Sequence, residues 1–291
     1  MNKVFQTAFT LIELLVVIAI IGILSGLIVV TMSGVTQKAN IAKAQVFSNS
    51  LRNALMLNLV SEWKLDGNTN DSWGSNNGSW SGPAGTNTSA TYLSSDCIFN
   101  QCLSFDGTDD CVTVANNTSL NITTSFTIEM WIKRTAVSSD RVDLLRRDSS
   151  ESYAFYSPVG STSVDVRFRD VSDVAHAGTY VIVPTGQWNH LVGTYDGTYL
   201  KFYLNGVLGP KDNIGSYTVR AGSGDLIIGR DDPVAGRYFN GLIDGVRVYG
   251  AAVPSSLVKE NYYAGINSLF SRGSISQSEY LERINNIAIN E

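Results

Sequence analysis

"HLVGTYDGTYLKFYLNGV" spans His190–Val207 and reads as two β-strands around an Asp196-Gly197 turn, followed by a second turn at Asn205-Gly206. Both dipeptides suit turns that need positive φ. Upstream, "FTIEMWIKR" (Phe126–Arg134) alternates cleanly, with Phe126, Ile128, Met130 and Ile132 on one face and Thr127, Glu129, Trp131 and Lys133 on the other. A period of two marks a strand. Further short runs at Trp63–Leu65, Leu103–Phe105, Val112–Ala115, Tyr153–Tyr156, Val164–Phe168, Tyr180–Val183, Leu226–Gly229 and Leu242–Tyr249 are separated by Gly, Asn, Asp and Ser clusters. About a dozen strands at this spacing, with no alternation of helix and strand, predict an all-β antiparallel sandwich over residues 60–252.

The flanks have a different texture. Residues 253–291 return to helical patterning and predict a short hairpin. Ser255 after Pro254 can cap the first helix, Gly273 breaks it, and Ser276 with Glu279 forms a capping box for a second helix. Leu257, Tyr262, Ile266, Leu269, Tyr280, Ile284 and Ile287 are placed to pack the two helices together or to dock them on an N-terminal rod. That rod is predicted over residues 9–59. Only Lys3 and Glu13 are charged in the first 37 residues, and the run Leu14–Val30 is rich in Leu, Ile and Val. A bilayer core needs about 20 apolar helical residues, so the first half of the rod can span one. Gly22 and Gly26 form a G-x-x-x-G that lets helices approach closely. Beyond it Ile41, Ala44, Phe47, Leu51, Ala54 and Leu55 recur at spacings of three and four, an amphipathic continuation. The whole rod would measure roughly 75 Å at 1.5 Å per residue.

Composition narrows the function. The 291 residues include 26 acids and 21 bases, a net charge of −5, with no basic stripe, so a nucleic-acid partner is not expected. Cys97 and Cys102 lie close together and favour a disulfide in an exported chain, while Cys111 stands apart. No second Cys or His pair has zinc-ligand spacing. "DGNTND" (Asp66–Asp71) is not an EF-hand, because its sixth position is Asp71 rather than Gly and its twelfth is Asn77 rather than Glu. His176 and His190 are the only histidines, and no Ser/His/Asp set assembles from spacing, so no enzyme is expected. Glu129 reads as a solvated or rim position, and His190 as a ring packed beside Trp188. The polar segment Gly67–Thr91 brings Trp73 and Trp80, with Tyr92 next to it; these aromatics either stack on sugar rings or anchor a loop to the sheet.

Two resemblances join these readings. "AFTLIELLVVIAIIGIL" (Ala8–Leu24) resembles the N-terminus of type IV pilins and of type II secretion pseudopilins. The resemblance implies a leader over residues 1–8, cleavage between Ala8 and Phe9 by a prepilin peptidase, and N-methylation of Phe9. Ala8 stands where that family usually has Gly, and Val30 where a Pro is common. A carboxylate in hydrocarbon costs a few kcal/mol, ~3 on the lenient insertion scale. In the family, Glu13 pairs with the α-amino group of Phe9 on a neighbouring subunit, which neutralises both charges in a filament core. The partners implied are other pilin subunits and membrane lipid. The location implied is the bacterial cytoplasmic membrane, crossed once, with the globular part outside and then in an extracellular filament.

The second resemblance is to laminin G-like, concanavalin A-like jelly rolls. It rests on "LDGNTNDSWGSNNGS", "CLSFDGTDDCVTV", "SFTIEMWIKR", "GQWNHLVGTYDGTYLKFYLNGV" and "FNGLIDGVRVY", in that order. Some relatives are glycoside hydrolases, but their Glu-x-Asp-x-x-Glu strand signature is missing here. The resemblance implies one structural Ca2+ held by Asp66, the Gly107 carbonyl and Asp244, and a possible glycan ligand. Three functions follow as expectations: a minor pilin or pseudopilin with an adhesive head, a single-pass anchored binding protein that does not polymerise, or an anchored carbohydrate-active enzyme.

Overall fold

A computed structural model describes residues 15–16, 18–20, 58–81, 91–137, 140–148, 151–231 and 237–289. The chain divides into two units, Met1–Met56 and Leu57–Glu291. Residues 15–16 and 18–20 of the first unit are helical. Ala8, Phe9, Glu13, Gly22, Gly26 and the amphipathic continuation of the predicted rod lie outside the described residues. Among the described residues no helix is long and apolar enough to cross a membrane.

The second unit is a sandwich of two antiparallel sheets. Its strands are β1 (Leu59–Trp63), β2 (Gly78–Ser81), β3 (Thr91–Leu93), β4 (Cys102–Asp106), β5 (Cys111–Val114), β6 (Phe126–Arg134), β7 (Val142–Arg147), β8 (Tyr153–Ser157), β9 (Ser163–Arg169), β10 (Ala175–Ala177), β11 (Val181–Ile182), β12 (Asn189–Tyr195), β13 (Tyr199–Leu204), β14 (Val207–Asn213), β15 (Leu226–Ile228) and β16 (Asn240–Tyr249). The first sheet runs β14-β13-β12-β6-β16-β4-β3, with β1 also pairing β16. The second runs β10-β9-β8-β7-β15-β5-β2, with β11 also pairing β9. The first strand ends at Trp63, where the sequence pattern places its start; Leu65, at φ 58, lies in the turn that follows.

The His190–Val207 stretch folds as its dipeptides predict. Gly197 takes φ 93, and Asn205 and Gly206 take φ 52 and 79, with Leu204 paired to Val207 across a two-residue loop. Positive φ at both central residues is the type I′ hairpin geometry. Phe126, Ile128, Met130 and Ile132 all turn into the core between the sheets. The sheets approach closely at Gly193 of β12, where an added Cβ would lie 2.6 Å from Val166 Cγ2 and 2.9 Å from Phe155 Cε1.

Two helices follow, α1 (Ser255–Ser271) and α2 (Gln277–Ile289). Ser255 is the first helical residue rather than a cap, and Pro254 before it offers no side-chain acceptor. Gly273, at φ 73, ends the helix, and the Ser274 amide reaches back to the Leu269 carbonyl. The Glu279 amide donates to Ser276 Oγ at 3.2 Å, one half of the predicted capping box. Leu269, Tyr262, Ile266 and Ile287 bury against Trp131, Trp188 and the Cys97–Cys102 disulfide. The hairpin therefore covers the outer face of the first sheet.

Candidate functional site

That cover overturns one sequence expectation. Glu129 is not at a rim: it is 1% exposed, beneath α1. Its carboxylate accepts from His190 Nε2 at 2.9 Å, Arg247 Nη1 at 3.1 Å, Asn261 Nδ2 at 3.0 Å and Tyr249 Oη at 3.2 Å. Burial alone would raise its carboxyl; the Arg247 charge and the His190 and Asn261 hydrogen bonds outweigh burial and hold it at about 2. The His190 ring lies 4.7 Å from that of Trp131 and 6.0 Å from that of Tyr262, two rings that share a buried cluster with Trp188. Asn261, on α1, closes the group, so no substrate can reach Glu129 without moving a helix.

The outer face of the second sheet has a different chemistry. Asp143 on β7 pairs with Tyr156 on β8, which pairs with Asp165 on β9. Directly opposed residues point the same way, so these three form a row across the sheet, with strands about 4.8 Å apart. Arg167 Nε donates to Asp165 Oδ1 at 2.9 Å, and its guanidinium lies over the Tyr156 ring, 3.4 Å from the centroid. Arg146 Nη1 donates to Asp143 Oδ2 at 3.0 Å and also bonds Asp231. Arg141 and Arg237 converge on the same Asp231. Glu151 links Arg141, at 3.4 Å, with Arg167, at 3.9 Å. Asp140 joins through Arg237 at 3.3 Å.

The network is layered. Asp143, Asp165 and Asp231 are fully buried and form a floor. Burial, then the Asp231 charge, push the Asp143 carboxyl well above the usual carboxylate range, and its Oδ1 has no hydrogen-bond partner. Asp231 is held low, because Arg141, Arg237 and Arg146 outweigh the cost of burying it. Above the floor, Arg141 and Arg167 reach solvent, and Tyr180, 46% exposed, receives a 3.2 Å hydrogen bond from Arg167 Nη2. This is an interlinked set of donors and acceptors beside an exposed ring. The sequence reading missed it. A signal was present in β9, where Val164, Val166 and Phe168 alternate with Asp165, Arg167 and Arg169.

The residues singled out from sequence fall elsewhere. Trp80 and Tyr92 are half-buried and pack against the inter-sheet core, with Trp80 edge-on to Phe105 at 5.7 Å. They anchor strands rather than offer a stacking surface; Trp73, 48% exposed, is the one of the three that faces solvent. Cys97 and Cys102 form a disulfide with Cα atoms 5.4 Å apart. Cys111 is buried in β5. Asp66 and Asp244 meet on the disulfide loop. Asp66 Oδ1 accepts from the Gln101 amide at 2.8 Å and Asp244 Oδ2 from the Phe99 amide at 3.0 Å. Burial, and to a smaller degree the Asp66 charge, raise Asp244 to about 7, and its Oδ1 has no hydrogen-bond partner. An orphaned buried oxygen beside a second carboxylate fits a cation. Gly107 does not join them: it lies against Asn240, four strand residues from Asp244, about 13 Å at 3.3 Å per residue.

Comparison with known proteins places the sandwich. The model of the concanavalin A-like lectin/glucanases superfamily matches residues 106–259, more than half of the chain. The chain belongs to this superfamily. Among solved structures, domain 4 of AbnA, a GH43 extracellular arabinanase from Geobacillus stearothermophilus in complex with arabinotriose, aligns at 19% identity and a TM-score of 0.56, covering 69% of this chain and 97% of that one. The binding domain of Paraclostridial Mosquitocidal Protein 1 aligns at 15% identity and a TM-score of 0.58, covering 73% and 53%. The botulinum neurotoxin serotype D ligand binding domain, in complex with N-acetylneuraminic acid, aligns at 14% and 0.55, covering 74% and 53%. The chain thus spans about half the length of the two toxin domains. At these identities the likeness shows a shared fold. No curated protein matches the chain. Residues 5–29 match the prokaryotic N-terminal methylation motif. A superfamily member with this motif at its start joins a lectin-like fold to a pilin-type N-terminus, which implies prepilin peptidase processing and pilin-family assembly.

Proposed function

We propose that this protein is a type IV filament subunit, a minor pilin or pseudopilin, whose jelly-roll head binds glycans or surface polymers outside the cell. The observation that carries the reading is the pairing of the methylation motif at residues 5–29 with a lectin-like fold whose second sheet presents Tyr180, Arg167 and Arg141 above buried acids. Sugars are bound by an aromatic face together with fixed polar groups, and Arg–carboxylate pairs supply donor and acceptor side by side. The subunit would sit in the cytoplasmic membrane with its head outside until assembly, with Phe9 and Glu13 making the inter-subunit contact. Its role is binding: Glu129 is closed under α1, and the fold neighbours reported above include binding domains. A glycan array probed with the full chain in detergent micelles tests the head. Binding that is lost in Arg167→Ala and Tyr180→Ala supports the reading; absence of any glycan binding rejects it.

A calcium ion is part of the same proposal, at Asp66 and Asp244 rather than Gly107. It would offset the two carboxylates and tie the disulfide loop to β16. A thermal midpoint that rises with Ca2+ over chelator in the wild type, and not in Asp244→Asn, supports this; an unchanged wild-type midpoint removes the ion.

A further inference from the structure

An arginine at a core-facing position needs a partner for its charge. The alternation that turns Phe126, Ile128, Met130 and Ile132 into the core puts Arg134, the last residue of β6, on the same face. It is 3% exposed. Among the described residues two other arginines are buried, Arg146 and Arg147. Arg146 is ion-paired to Asp143 and Asp231, and the charges of Asp148 and Asp225 act on Arg147. Arg134 bonds neutral oxygens instead. Its Nη1 and Nη2 donate to Ser157 Oγ at 3.1 and 3.2 Å, and Nη1 donates to the Ser161 carbonyl at 2.9 Å. Burial, with no carboxylate charge set against it, lowers Arg134 to about 10, so it is still a cation at neutral pH.

Those bonds engage three of the five N–H groups of a guanidinium. The second Nη2–H remains, and so does Nε–H, which has no hydrogen-bond partner. The two lie on one edge of the plane, the edge that grips an anion with parallel bonds. Arg134 also borders a cavity of about 10 Å³, walled in part by Val142, Ser157, Ser161 and Phe239. That is the room of one water-sized species. Asp140, the acid on the same wall, is held elsewhere: it accepts from the Arg141 amide at 2.7 Å and pairs with Arg237 at 3.3 Å.

We propose that this cavity is a halide site, in which chloride is held by the free Nε–Nη2 edge of Arg134. A water there would satisfy the donors and leave the charge unmatched, whereas a single-atom anion does both. A buried charge without a partner is costly, so the cation itself selects an anion. The size of the cavity selects among anions, because sulfate, phosphate and carboxylates exceed the room of a single atom. The ion would join the two sheets, since Arg134 stands on the first and Ser157 on the second. The site is independent of whatever the head binds.

The test is thermal unfolding of the full chain in detergent micelles, with chloride replacing isethionate at constant ionic strength so that screening is unchanged. The midpoint should rise saturably with chloride, by about 3–6 °C at a tenfold excess over the Kd, and should rise with bromide as well. Arg134→Gln should lose the rise. Asp140→Asn, which takes a negative charge off the wall, should lower the chloride Kd by about twofold or more; a raised Kd counts against the site. Crystals of the full chain grown in bromide locate the ion directly, and keep the proposal testable if Arg134→Gln fails to fold. An anomalous peak within hydrogen-bond reach of Arg134 Nε is expected. A wild-type midpoint equal in chloride and isethionate, a rise undiminished in Arg134→Gln, or a bromide crystal with no peak at Arg134 overturns the proposal and leaves the glycan reading untouched.

Discussion

Replacing Glu129 with alanine leaves Arg247 and His190 facing each other beneath α1 with no carboxylate between them. Breaking a buried charged group by removing one partner costs about 3–5 kcal/mol. Chemical denaturation of Glu129→Ala should therefore show a loss of that size, and Glu129→Gln, which keeps an acceptor, a smaller one. The same residue sets an acid limit. Its folded pKa, about 2, lies below the ordinary 4.5. The stabilisation it supplies is then complete above pH 4.5 and is lost as pH falls through the interval down to about 2. A shift of this size corresponds to about 3 kcal/mol by linkage. Denaturation midpoints measured across that interval should fall steeply in the wild type and less so in Glu129→Gln; parallel slopes would contradict the assignment.

At the scale of elements, α1 lies against the first sheet at Gly265. A Cβ there would overlap the Trp131 indole. Alanine in a helix interior is ordinarily better than glycine by up to about 1 kcal/mol. Here the sign reverses, and Gly265→Ala should destabilise by about 1–3 kcal/mol, the range for overpacking, with a change in Trp131 fluorescence as the helix lifts. Reducing the Cys97–Cys102 disulfide, which packs against the same helix, should cost about 2 kcal/mol by the chain-entropy estimate for so short a loop; a midpoint unmoved by reductant would speak against it. These contacts explain what the sequence made legible. The alternation in Phe126–Arg134 and the Asn205-Gly206 turn are local signals, and both map directly onto strands. Alternation divides a strand into two faces but does not say what covers the second one. Glu129 and Trp131 therefore read as outward, and only the tertiary placement of α1 shows them buried. The charged face of the second sheet is illegible in the sequence for a related reason. Asp143, Arg146 and Asp231 lie as much as 88 residues apart in the sequence, between Asp143 and Asp231, and only strand pairing brings them together. Trp73, Trp80 and Tyr92 attracted attention because aromatics in a polar stretch are conspicuous, yet two of the three serve the core.

In the molecule as a whole, a pilin-type N-terminus precedes a lectin-like head, and each part predicts a separate behaviour. Glu13→Ala should leave membrane insertion intact, because it removes a charge from an apolar run, and should abolish incorporation into filaments, because the Phe9 amine of a neighbour loses its partner. Fractionation into membrane and sheared-filament pools separates the two effects. The head should keep its ligand preference in that variant, since its network lies wholly within residues 140–237. The most direct measurement is mass spectrometry of the mature polypeptide recovered from sheared filaments. The expected species is a chain that begins at N-methylated Phe9. A chain that retains Met1–Ala8 and is found only in the membrane fraction would contradict it.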